Sequence, residues 1–67
     1  MKTLIKKIAR YLVSKWDSLS KAKKWAIEQI ASSYIIDAIE DGVSSTMDAL
    51  EDYSSKTLNK IASLLGI

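Results

Sequence analysis

Sixty-seven residues, 48% hydrophobic and 27% charged, suffice for one small domain, so residues 1–67 are read as a single unit. The chain has no cysteine and no histidine, which excludes disulfide staples, thiol or imidazole catalysis and the usual transition-metal ligand sets, so no enzyme, cofactor or metal site is expected. The net charge of +2 hides a sorted chain: residues 1–24 carry eight bases against Asp17 alone, residues 25–54 carry seven acids and no base, and Lys56 and Lys60 follow.

With no proline and only Gly42 and Gly66 as glycines, nearly every position is free to be helical. From Thr3 to Trp16 the apolar residues Ile5, Ile8, Leu12 and Trp16 fall on one face, with Leu4 and Tyr11 beside them. Lys6, Lys7, Arg10 and Ser14 take the other sides, which predicts an amphipathic helix with a cationic flank. Asp17-Ser18-Leu19-Ser20 then offers N-cap oxygens for a second helix from about Leu19 to Ser32, carrying Ala22, Trp25, Ala26, Ile27 and Ile30.

Ser32-Ser33 reads either as the cap of a third helix or as part of a continuous one. Tyr34, Ile35, Ile36, Ala38 and Ile39 form the most apolar stretch, ending at Glu40-Asp41-Gly42, where glycine suits a helix end. Two acids in a last turn oppose the helix dipole, so the lysines of the first two helices are their expected partners. Ser45-Thr46-Met47-Asp48 resembles a capping box opening a short helix through Met47, Leu50 and Tyr53. Ser54-Ser55 should cap a last helix lined by Leu58, Ile61, Ala62, Leu64 and Leu65. The expected fold is therefore all-α, a compact bundle of four or five short amphipathic helices.

The longest charge-free stretch, Gln29 to Ile36, falls far short of the ~20 apolar residues of a spanning helix. The opening lysines recur through Lys15 without an uninterrupted apolar run, unlike a secretory signal. Nucleic-acid binding is disfavoured: the second helix offers Lys21, Lys23, Lys24 and Gln29 but no arginine, and the acids that follow would repel phosphate. The paired acids Glu40-Asp41 and Glu51-Asp52 lack the spacing and glycine of a calcium loop. What the basic third does suit is an anionic lipid surface. Lysines near such a surface are attracted by about 1 kcal/mol each, and indoles prefer the boundary between water and hydrocarbon. The candidate membrane-binding residues are thus Lys2, Lys6, Lys7, Arg10, Lys15, Trp16, Lys21, Lys23, Lys24 and Trp25.

Several features together resemble the leaderless helical bacteriocins, the group of aureocin and lacticin Q. They are Met1 followed by Lys2, a lysine-rich amphipathic opening to Trp16, tryptophans beside lysines, no cysteine, and a hydrophobic final helix ending Leu64-Leu65-Gly66-Ile67. The resemblance implies a saposin-like bundle, secreted without a cleaved signal peptide, that permeabilises anionic bacterial membranes without enzymatic chemistry. Circular bacteriocins, whose ends are joined as Met1 and Ile67 would be, are a more distant likeness, being richer in glycine, alanine and valine. Eight acids exceed what either group carries. They leave open self-association, a second peptide, or an alternative in which the chain is a soluble, cytoplasmic interaction module such as an immunity protein or small regulator.

Overall fold

The computed structural model describes residues 2–67; the expectations that involve Met1 lie outside the described residues. Five α-helices follow one another: α1 (Lys2–Lys15), α2 (Lys21–Ala31), α3 (Tyr34–Asp41), α4 (Val43–Leu50) and α5 (Ser55–Leu65), with a 3-10 turn at Trp16–Ser18. No strand occurs among the described residues. The all-α bundle expected from the sequence is the fold observed.

Each helix is held by one apolar stripe. In α1 it is Ile5, Ile8, Ala9 and Leu12, and in α5 it is Leu58, Ile61, Ala62 and Leu65, both at the three- and four-residue spacing that stacks side chains on one face. Ile27 and Ala31 of α2, Ile35 and Ile39 of α3, and Ala49 and Leu50 of α4 complete the core. α4 packs mainly on α3 and α1, whereas α2 packs on α5 and α3. The two basic helices, adjacent in sequence, are therefore not packed side by side.

Local chemistry explains most of the boundaries. Ser20 and Ser54 cap α2 and α5, their hydroxyl oxygens accepting the N–H of Lys23 and of Thr57 at 3.2 Å each. At the end of α5, Gly66 takes the left-handed conformation (φ 79°, ψ 28°). Its N–H reaches Ser63 O (3.2 Å) and that of Ile67 reaches Ala62 O (3.0 Å), the paired closure of a Schellman motif.

The structure sets the helix boundaries that the sequence leaves approximate or open, and it corrects the expected start of the fourth helix. The first helix ends at Lys15, leaving Trp16 in the 3-10 turn, and the second starts at Lys21 because Ser20 rather than an earlier residue caps it. Ser32 breaks the chain between α2 and α3 with φ 66° and ψ 170°, while Ser33 makes no side-chain cap. Gly42 does join two helices, but at φ 113° and ψ 179°, an extended positive-φ conformation essentially confined to glycine, so α4 follows α3 after this single residue. Ser45 and Thr46 are consequently inside α4 and do not open it. Thr46 is completely buried, and its hydroxyl donates towards Ala38 O (3.0 Å) and Gly42 O (2.8 Å). Thr46 lies four residues beyond Gly42, which holds the N-cap position of α4, so its hydroxyl ties the α3–α4 corner and does not cap the helix.

Candidate membrane-binding surface

The stripe that buries Ile5, Ile8 and Leu12 turns the remaining sides of α1 outwards, so Lys2, Lys6, Lys7, Arg10 and Lys15 are all exposed. Arg10 and Lys7 border an open groove of about 410 Å³ together with Tyr11, Ser14 and Ile67. Ser14 Oγ donates to Arg10 O at 2.7 Å, a bond along the helix that leaves the guanidinium free.

Beyond the 3-10 turn, α2 presents Lys21 and Lys23 to solvent, and Trp25 with 62% of its surface exposed. Trp25 lies one turn from Lys21, so an indole and an ammonium group share the outer face of α2. Trp16 behaves differently. It is half-buried against the core, and Lys24 Nζ stands 5.6 Å from the centre of its ring, a cation–π contact that ties the 3-10 turn to α2. Of the two tryptophans, Trp25 has the free indole, and Trp16 belongs mainly to the packing. The described candidate residues thus lie on α1 and on α2, with Trp16 in the turn between them.

The acids have their own surface. Asp37, Glu40 and Asp41 are exposed on α3 and, with Tyr34 and Ala38, line a second open groove of about 490 Å³. Their expected partners were lysines. Asp41 Oδ2 instead accepts a hydrogen bond from Ser45 Oγ at 2.6 Å, and no ammonium or guanidinium nitrogen comes within 4.0 Å of a carboxylate among the described residues. Among the described residues the ten bases and eight acids therefore stand apart on the surface without pairing with one another.

Two polar ties escape a reading by pattern. One is the buried Thr46 hydroxyl. The other is Tyr53, whose hydroxyl donates to Ala31 O, a carbonyl at the end of α2 that has no partner within its helix. Burial pushes the Tyr53 phenol above its ordinary value. Among the described residues no group of histidine, cysteine and carboxylate side chains is arranged to hold a metal ion.

No known protein family, curated protein or solved structure matches the chain.

Proposed function

We propose that the protein binds anionic bacterial membranes and permeabilises them as an antimicrobial protein of bacteriocin type. The observation that carries this reading is the outer face of α2, where Trp25 is 62% exposed one turn from Lys21 on a bundle whose large aliphatic side chains, apart from Ile67, are buried or half-buried among the described residues. An indole left in water is unfavourable, and it becomes favourable at a headgroup boundary to which lysines draw the protein. Lys2, Lys6, Lys7, Arg10 and Lys15 of α1, with Lys21, Lys23 and Lys24 of α2, supply that attraction.

Size shapes the mechanism. Among the described residues no helix is long and apolar enough to cross a membrane. α1, the longest at 14 residues, measures roughly 21 Å at 1.5 Å per residue, against a hydrocarbon layer of about 30 Å. Permeabilisation then comes from helices that part at the interface and lay Ile5, Ile8, Leu12, Ile35, Ile36 and Ile39 among the acyl chains, thinning and disordering the layer.

The test is a titration with anionic and zwitterionic vesicles, following tryptophan emission and dye release together. The expected result is a blue shift with leakage, stronger on anionic vesicles and weakened by salt. Trp25→Ala should lower affinity about tenfold, from partial burial of one large side chain, with helix content unchanged. Affinity and leakage equal to wild type in that variant would refute the reading. The exposed acidic groove of α3 favours a second reading, a soluble module that meets a basic protein partner; absence of any shift on both lipids would select it.

A further inference from the structure

The outward faces of α1 and α3 have a shared geometry. Lys7, Arg10, Tyr11 and Ser14 follow the spacing i, i+3, i+4, i+7 along one stripe of α1, and Tyr34, Asp37, Ala38 and Asp41 follow the same spacing along α3. Both stripes border open grooves, and each spans two turns of helix, roughly 10 Å. Their charges are opposite. We infer that a second copy of this chain is the occupant of each, the acidic stripe of α3 on one copy lying along the basic stripe of α1 on the next.

An antiparallel register sets Asp41 beside Lys7 and Asp37 beside Arg10. It leaves Tyr11 over the small Ala38, and Tyr34, which is 55% exposed, beyond Ser14 at the open end. Asp41 is already oriented, because one of its oxygens accepts from Ser45 while the other is free. The absence of carboxylate–lysine pairs within the described molecule leaves these charges unpaired until another copy arrives. Because the two stripes are different surfaces, the contact can repeat from copy to copy, giving rings or open chains. Surface charge pairs are individually weak and strongly screened, so assembly belongs at high protein concentration and low salt. Lipid plays no part in this contact, which therefore stands or falls separately from the membrane reading.

The experiment is sedimentation or light scattering in lipid-free buffer, at protein concentrations up to about 1 mM, comparing about 0.01 M with about 1 M salt. Wild type should show an average mass at least twice its 7.5 kDa at low salt and the monomer mass at high salt. Arg10→Glu and Asp37→Lys, both at exposed positions, should each be monomeric with unchanged helix content. An equimolar mixture of the two should associate again, because the reversed charges complement one another across copies. Carbodiimide coupling of mixed light and heavy isotope-labelled wild type should join Lys7 of one copy to Asp41 of another. A wild type that is monomeric at low salt, an association insensitive to salt, or a mixture that stays monomeric would each overturn the proposal.

Discussion

Replacing Thr46 tests how the corner between α3 and α4 is held. Gly42 N–H turns to Ile39 O, and Gly42 O already accepts the backbone N–H of Thr46 at 3.0 Å. Ala38 O, by contrast, takes its hydrogen bond from the Thr46 hydroxyl, so that side chain completes the end of the neighbouring helix. Thr46→Val keeps the shape and removes the donor. A carbonyl left unpaired in a buried place costs about 1–3 kcal/mol. For a domain of this size that corresponds to a fall in melting temperature of roughly 4–20 °C. Thr46→Ser keeps the hydroxyl and loses one methyl group, about 1 kcal/mol. The expected order of stability is therefore wild type, then serine, then valine, measured by thermal and guanidinium unfolding followed by circular dichroism. Similar denaturant slopes would show that the variants unfold from the same compact state. A valine variant as stable as wild type, or more stable than the serine variant, would refute the assignment of the hydroxyl as the tie. The same series bears on function: if helices part at the membrane, Thr46→Val should release vesicle dye at lower protein concentration than wild type.

Tyr53→Phe should cost about 0.5–1.5 kcal/mol at neutral pH by removing the bond to Ala31 O. Since the Tyr53 phenol titrates higher in the fold than in the unfolded chain, its contribution is constant below pH ~10 and declines as pH rises towards the folded value. The stability difference between wild type and Tyr53→Phe should accordingly shrink above pH ~10 in parallel unfolding curves, and a difference that grows there would contradict the burial of the phenol. Gly42→Ala should destabilise by about 1–3 kcal/mol through backbone strain alone, because no atom lies within 4 Å of the added methyl position, whereas Ser32→Gly should stabilise by relieving a similar conformation (φ 66°). Unfolding of both variants checks the opposite signs. Changing Lys21 and Lys23 to Gln should weaken binding to anionic vesicles by about fivefold per lysine, an effect that disappears in high salt.

What could be read from the sequence follows from how local each signal is. α1, α2 and α5 announce themselves because their apolar residues keep a helical period over 11 to 14 residues, and Ser20 and Ser54 act on amides three residues away. The α3–α4 corner is not local. Ser45-Thr46-Met47-Asp48 has the residue types of an N-cap, and what decides against it is a hydrophobic environment and an acceptor, Ala38 O, eight positions upstream. The tyrosine tie spans 22 positions, from Tyr53 to Ala31, and no spacing rule encodes it. The sorting of charge was plain, but its consequence was not. Glu40 and Asp41 looked committed to lysines within the molecule, and only the orientation of α3 shows both facing outwards, Asp41 on a stripe that matches the one on α1.

Under the proposed membrane mechanism, the apolar core offers little resistance to opening in lipid. Ile5, Ile8, Leu12, Ile35 and Ile39 exchange one hydrocarbon environment for another when they leave the bundle for acyl chains, and no hydrophobic driving force between helices survives there. What must be broken is polar: the Thr46 bond at the α3–α4 corner, the Tyr53 bond at the α2–α3 corner, and the Lys24 contact with Trp16. In water these ties are modest, since solvent competes for the same groups. At the interface the lysine is drawn away by headgroups, which removes the contact with Trp16 first and frees the 3-10 turn between α1 and α2. The two basic helices, packed apart on α4 and α5, are then able to separate without disturbing one another. The threshold for opening is set by these few hydrogen bonds at helix ends, so substitutions at Thr46 and Tyr53 should alter leakage more than their effect on lipid affinity would imply.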